Sequence, residues 1–367
     1  VIGIVGGGQL GRMSAMAAAR LGFLVHVFDP APGGPAAQVC AFETVAAFDD
    51  LRALRKFAQA VDVVTFEFEN VPAEGLAALE SVKPVRPGAN VLRISQDRVL
   101  EKTFLNGIGV PTAPWVAVDV APWLAAAVAR LGVPCVLKTT RLGYDGKGQA
   151  VIRDSGEAAG AFERLAPKPL VLEAFVDFAC EISVVVARGV DGAVVAFDPV
   201  ENRHKNHILD MTLAPAPLPA EILTEATRLA RLVADKLELV GVLAVEMFVT
   251  AAGGLLVNEI APRPHNSGHW TIDACPASQF DMHIRAVAGL LLPPAVRHAD
   301  AVMKNLVGPE GMADWEAVMA TPGLIAHHYG KALARPGRKM GHFTKLFPKG
   351  GLPGAFGVAD ALQLRRD

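Results

Sequence analysis

The sequence predicts an α/β and α+β protein: a Rossmann-like N-terminal domain, then a two-lobed region, then a small C-terminal β-rich region. Three observations carry this. Up to about residue 100, short apolar runs (VIGIV, LVHVFD, VDVVTFEF, KPVRPG) alternate with helical patterns, the rhythm of a parallel sheet with helices packed on it. From residue 171, LVLEAFV, CEISVVVAR, GAVVAFDPV, GVLAVEMFV and GGLLVNEIA follow one another as strands of a largely antiparallel sheet. The 367 residues also exceed one ordinary core. The expected division is 1–100 for the first domain, 101–172 for a linker helix and small lobe, 173–295 for a large lobe, and 296–367 for a C-terminal extension with a basic cluster.

Composition narrows the function. The 35 basic and 37 acidic residues nearly cancel, so no global field favours nucleic acid or an anionic membrane. No uninterrupted apolar stretch reaches the roughly 20 residues of a membrane span. Cys40, Cys135, Cys180 and Cys275 have no paired spacing and each sits among apolar residues, which predicts four reduced core cysteines. The first strand begins at residue 1, so no signal peptide is expected and the protein reads as cytoplasmic.

Taken in order, the first element is VIGIVGGGQLGRM. Four apolar residues lead into Gly6-x-Gly8-x-x-Gly11 and a helix, and Asp29 closes the next apolar run where a ribose-binding carboxylate belongs. That is the fingerprint of an NAD(P)-dependent dehydrogenase. The helix SQDRVLEKTFLNGIG comes next, stopped by Gly107 and Gly109 ahead of Pro111. Lys138 then ends the apolar run VPCVLKTT. Six residues later GYDGKGQ offers glycines whose N–H groups can close over phosphates, or equally a hairpin turn. In LVLEAFVDFACEIS, Glu173 and Glu181 flank a strand-like linker whose exposed backbone suits a purine edge, unless both glutamates simply face solvent.

The segment LAVEMFVTAAGGLLVNEIAP is the most informative. In a regular hairpin about AAGG, Thr250 pairs with Leu255 and Glu246 falls opposite Glu259, on one face with Cβ atoms about 5 Å apart. Like charges so placed call for a cation between them. A divalent ion shared with phosphate oxygens fits; solvation, or bridging by lysine and arginine, is the alternative. Neither these groups nor the second glycine loop has a place in a dehydrogenase.

A strand lysine, a glycine-rich cover, a linker with two glutamates and a hairpin with two facing glutamates, in that order, resemble the ATP-grasp superfamily. Its two α+β lobes hold ATP, and its Rossmann-like preceding domain generally does not bind NAD. Within it, GGGQLGRM, TFEFENV, QDR with EK, PTAPW, GYDGKGQ, NEIAPRPHNSGHWTIDAC, and HYGK with RPGRKMGH look like the N5-carboxyaminoimidazole ribonucleotide synthetases of purine biosynthesis. The resemblance spans essentially the whole chain. It implies a carbon–nitrogen ligase that uses ATP, Mg²⁺ (two ions) and bicarbonate, without biotin or NAD, to carboxylate 5-aminoimidazole ribonucleotide through carboxyphosphate.

Carried over by position, the resemblance has Arg98, Lys138 and Lys147 neutralise ATP phosphates. Glu173 with Ala174, Phe175 and Val176 takes the adenine, Glu181 the ribose, and His204, in the loop ENRHKNH, a further nucleotide contact. Glu246 and Glu259 bind Mg²⁺. Asn258 lies beside them, although a regular strand would point it to the other face. Many superfamily members have Asn two residues past the second metal glutamate; this chain has Ala261. Lys331, Arg338 and Lys339 suit the acceptor phosphate. Gln9, Leu10, Glu69, Tyr144 and Asn266 complete the acceptor site. Arg263, His265, Lys331 and Asp145 are the catalytic candidates, with Asp145 and His265 both eligible to handle the proton. The resemblance also suggests a homodimer; transient contact with the mutase that follows in the pathway is a separate expectation. The nearest rival is a formate-dependent glycinamide ribonucleotide transformylase.

Overall fold

The computed structural model describes residues 1–143, 147–166, 168–352, 362 and 364. The first domain is a parallel sheet of β1 (Ile2–Val5), β2 (Val25–Asp29), β3 (Phe42–Val45) and β4 (Val63–Phe66), in the order β3-β2-β1-β4. All four residues of the inner strand β1 are buried, as are all four of β4 at one end of the sheet. The run KPVRPG, read from sequence as a strand, contributes only an isolated bridge between Val64 and Val85, because prolines flank it and remove ladder donors. On the far side of the sheet the edge is β3, whose sequence FETV lacks the apolar run that marks its neighbours.

The helix Arg98–Gly107 follows, capped by Asp97, whose side chain accepts from the N–H groups of Val99 and Leu100. The small lobe is an antiparallel sheet of β5 (Trp115–Val118), β6 (Cys135–Thr139), β7 (Gln149–Ile152) and β8 (Leu170–Ala174), in the order β5-β8-β6-β7. Residues 175–177 lead from it to β9 (Phe178–Arg188).

A nine-stranded sheet holds the strands after that. Its members are β9, β10 (Val194–Ala196), β11 (Val200–Lys205), β12 (Ile208–Ala214), β13 (Gly241–Thr250), β14 (Leu255–Ala261), β15 (Asp300–Val307), β16 (Leu324–His328) and β17 (Lys339–Phe347). The order is β14-β13-β9-β11-β12-β15-β17-β16, with β10 on β9. The C-terminal strands thus continue the large lobe's sheet through the β12–β15 ladder. The helix Ala220–Lys236 buries Ala226, Leu229, Ala230, Val233 and Ala234 against one face of this sheet, joining Val184, Leu243 and Val245 in a single core.

Two sequence expectations change here. His204 lies on β11, not in a loop: ENRHKNH crosses a hairpin whose turn residues Asn206 and His207 both take positive φ. Of the four cysteines, all free, Cys135 and Cys275 are buried, while Cys40 and Cys180 are half-buried. Among the described residues no helix is long and apolar enough to cross a membrane.

Candidate functional site

The hairpin of β13 and β14 brings Glu246 opposite Glu259, by a route that regular pairing does not give. Its turn pairs Val249 with Leu255, one residue off the register read from AAGG, where Thr250 was to pair with Leu255. A β-bulge beside Met247 then restores the glutamate pair, leaving Asn258 as the extra residue. A bulge re-aims side chains, so the opposite-face expectation for Asn258 lapses. Its Oδ1 is buried with no hydrogen-bond partner among the described residues. Two facing carboxylates and an unused amide oxygen are an all-oxygen donor set that fits a hard divalent cation.

Each glutamate already has a cationic or N–H partner. Arg98 Nη1 lies 3.2 Å from Glu259 Oε2, and His265 Nε2 lies 2.9 Å from Glu246 Oε1. Burial disfavours charge on Glu246, yet His265 by charge and hydrogen bond, with His204 and Arg263, brings its pKa down to about 2. His265 itself is fixed from behind. Thr212 donates to Asn202 (3.0 Å), Asn202 to Ser183 (2.9 Å) and Ser183 to Ser267 (2.7 Å), whose hydroxyl meets His265 Nδ1 at 2.8 Å. All four of these residues are buried, so the chain has no water to exchange with.

Helical spacing puts Arg98, Glu101 and Lys102 on one face of their helix. Glu101 accepts from Ile260 N–H on β14 at 2.6 Å. Burial pushes its pKa up to about 8, against the pull of Arg98 and with the help of Glu259. Lys102, with no exposed side-chain surface, holds Nζ 3.4 Å from Glu173 Oε2; Lys138 Nζ lies 3.0 Å from the same oxygen. Glu173 pairs with Val136, two residues from Lys138, so both side chains leave one face of the small sheet. Burial raises the pKa of Glu173, but Lys138, Lys102 and Arg98 outweigh it and hold the group below its ordinary range. Ala174 ends β8, Phe175 is exposed and Val176 half-buried in the connection to the large lobe. On the other side, Glu181 and His204 pair at 3.2 Å. Burial opposes charge on His204, but the hydrogen bond and charge of Glu181 raise its pKa above the usual imidazole value.

The acceptor candidates divide. Arg263 forks onto Glu69 of the first domain through Nε and through Nη2 (3.2 Å). Lys331 donates to the Lys339 carbonyl (2.7 Å), and burial together with Arg338 and Lys339 takes its pKa down to about 8, against Glu67. Arg338 donates to the Leu333 carbonyl (2.9 Å). Gln9 opens the first helix and is half-buried, and Leu10 packs on the first domain's core. Asn266 is turned into the sheet, where its amide and that of Asn305 bond reciprocally at 3.0 and 2.7 Å. Lys147 is exposed. Tyr144 and Asp145 lie outside the described residues.

Three residues escaped the reading by spacing: Lys102, Glu101 and Glu67. Glu67 answers the opening motif. Its carboxylate accepts from Gly8 N–H (2.5 Å) and Gly11 N–H (2.7 Å), while Asp29 Oδ2 accepts from Gly7 N–H (2.7 Å). The donors that cradle a pyrophosphate in a dinucleotide enzyme are already used internally. A Cβ at Gly8 would come 2.4 Å from Glu67 Oε1, so the glycine here makes room for that carboxylate. The signal available in sequence was TFEFENV, whose alternation sends Glu67 and Glu69 the same way at a strand end.

A small antiparallel lobe, a large sheet, and the cluster of lysines, arginines and glutamates they carry define an ATP-grasp protein. The ATP-grasp domain family matches residues 103–280, the ribonucleotide synthetase preATP-grasp domain residues 1–96, and the phosphoribosylaminoimidazole carboxylase C-terminal domain residues 301–349. The N5-carboxyaminoimidazole ribonucleotide synthase of Brucella melitensis is 48% identical over 350 residues, covering 95% of this chain and 96% of that one. The crystal structure of the Staphylococcus aureus N5-carboxyaminoimidazole synthetase complexed with ADP superposes with a TM-score of 0.92 at 36% identity, over 98% of this chain and 95% of that one. That of the Aspergillus clavatus synthase with ADP and 5-aminoimidazole ribonucleotide gives 0.89 at 32% identity, over 95% and 93%. The chain belongs to the N5-carboxyaminoimidazole ribonucleotide synthase family of ATP-dependent ligases.

Proposed function

We propose that this chain uses ATP and bicarbonate to carboxylate the exocyclic amine of 5-aminoimidazole ribonucleotide, releasing ADP and phosphate. The observation that carries the reading is the facing pair Glu246 and Glu259, with Arg98 and His265 already on it and the Arg263–Glu69 fork nearby. A bicarbonate oxygen attacks the γ-phosphorus and the bond to ADP breaks, giving carboxyphosphate. Arg98, Lys138 and Lys147 hold the phosphates and stabilise their charge in flight. Glu246 and Glu259, with Asn258, would hold Mg²⁺, two ions in this reading; when bound, it neutralises charge on the transferring phosphoryl group. Carboxyphosphate then yields CO₂ beside the amine, which attacks carbon and loses a proton.

Both nitrogens of His265 are engaged, Nδ1 by Ser267 and Nε2 by Glu246. That arrangement favours Asp145 as the base, with Arg263 donating to the developing oxyanion and His265 holding Glu246 in place. Lys331, Arg338 and Lys339 take the acceptor phosphate; Gln9, Leu10, Glu69, Tyr144 and Asn266 shape the rest of its site. Glu173, Ala174, Phe175 and Val176 bind adenine, and Glu181 with His204 the ribose.

The internally used glycine-loop donors support a chain without NAD, and nothing in the proposed reaction calls for biotin. The division at residues 100, 172 and 295 belongs to the same reading, although β8 runs across 172. Exposed Met16, Leu24, Phe42 and Val45 on the first domain support a homodimer, which sedimentation would test. Cytoplasmic location and a transient contact with the following mutase are further expectations. Rapid decay of the product with no protection by added mutase would remove the last.

The test is ADP release with ATP, Mg²⁺ and bicarbonate, with and without 5-aminoimidazole ribonucleotide, beside a formate plus glycinamide ribonucleotide control. Strong stimulation by the aminoimidazole, lost in Glu259→Ala, is expected. Turnover only in the formate control would overturn the substrate assignment.

A further inference from the structure

Lys102 is a buried cation to which the reaction above gives no task. Its side chain is fully enclosed, Nζ makes no hydrogen bond among the described residues, and its ion-pair partner is Glu173 at 3.4 Å. Glu173 in turn is nearly buried, carries two lysines on Oε2, and leaves Oε1 buried with no partner among the described residues. The two lysines differ. Lys138 stands on the small sheet with part of its side chain exposed, whereas Lys102 stands on the helix Arg98–Gly107, enclosed and with nowhere else to go.

That asymmetry has a consequence once nucleotide binds, on the reading that Glu173 meets adenine and Lys138 meets phosphate. Lys138 is then drawn toward the phosphates, and Lys102 is the cation left beside Glu173. A carboxylate in such a place without a countercharge takes up a proton or turns away. Turning away removes the acceptor at Oε1 and protonation weakens it, and an acceptor there is what distinguishes a purine bearing a 6-amino donor from one that lacks it. A site with a buried, otherwise unpaired acceptor rejects the analogue that leaves it unpaired.

We propose that Lys102 is a positioning residue for base selection: it holds Glu173 as an ionised acceptor for the purine 6-amino group after Lys138 is engaged by phosphate. This rests on the adenine assignment of Glu173 in the proposed function.

The experiment measures kcat/KM for ATP and for purine riboside triphosphate, which lacks only the 6-amino group, in wild type, Lys102→Met, Glu173→Leu and the double variant. Wild type prefers ATP. In Lys102→Met the ATP preference falls by about tenfold or more. Glu173→Leu, which leaves no acceptor, shows whether the adenine assignment stands, since it lowers the same ratio only if Glu173 meets the base. In the double variant, where neither buried charge is stranded, the ratio equals that of Glu173→Leu; this arm also serves if Lys102→Met alone fails to fold. An unchanged ratio in Lys102→Met beside a lowered one in Glu173→Leu overturns the proposal and spares the assignment. So does a double variant whose ratio departs from that of Glu173→Leu. An unchanged ratio in Glu173→Leu overturns both. A rise in KM for both nucleotides alike marks Lys102 as structural and also overturns it.

Discussion

Glu101→Gln is the perturbation whose outcome the structure fixes most closely. The wild-type carboxyl is 2% exposed and its pKa is pushed up from 4.5 to about 8, chiefly by burial. The folded protein therefore keeps a proton that the unfolded chain releases near pH 4.5. Where the folded state binds more protons, stability falls as pH rises: the contribution is complete below 4.5 and lost through about pH 8. A tenfold change in proton affinity is worth about 1.4 kcal/mol, so between about pH 6 and pH 9 this one group removes about 3 kcal/mol from wild type. Glutamine keeps an oxygen for Ile260 N–H and has no proton to lose. Thermal midpoints of both proteins, taken from about pH 6 to pH 9 in Mg²⁺-free buffer, give the variant an advantage already at the acid end, one that widens up to about pH 8 and levels off above it. Parallel curves for the two proteins would refute the burial argument.

Three further outcomes follow from the same contacts. Glu67→Leu strands the N–H groups of Gly8 and Gly11 at a helix start, and chemical denaturation should show a loss of about 2–6 kcal/mol, since each unpaired buried donor costs about 1–3 kcal/mol. Arg263→Lys loses the fork onto Glu69, which a point charge does not reproduce, so kcat/KM for bicarbonate should fall more than tenfold while the melting temperature moves little; an unchanged kcat/KM would remove Arg263 from the reacting groups. Ser267→Ala breaks the hydrogen-bond chain behind His265 and should lower kcat with little change in the KM for ATP; a loss confined to the KM for ATP would speak against that chain's role.

Some of the site was legible because it is written in local pattern. The strand lysine and Glu173 leave one face of the small sheet as a period of two sets it, and the paired glutamates end opposite each other as a hairpin about AAGG said. The helix Arg98–Gly107 was legible from its pattern and its glycine stop ahead of Pro111. Other features depend on register, which sequence specifies weakly. The offset at the AAGG turn and the bulge at Asn258 displace the hairpin by one residue each, and they cancel at Glu246 and Glu259. Read from sequence, the pair was right and the turn beside it was not.

What the chain by itself determined is therefore the element order, the alternation that buries each sheet, and the set of charged residues that no core would accept unpaired. Tertiary structure alone decided which partners those charges took. Glu67 reaches Gly8 and Gly11 across more than fifty residues, Lys102 meets Glu173 from a helix outside the small sheet, and Asn266 pairs with Asn305 of β15. The reason is physical. A periodic pattern says which face a side chain leaves by, but the partner of a buried charge or amide is whichever complementary group the packing of distant elements brings within about 3 Å.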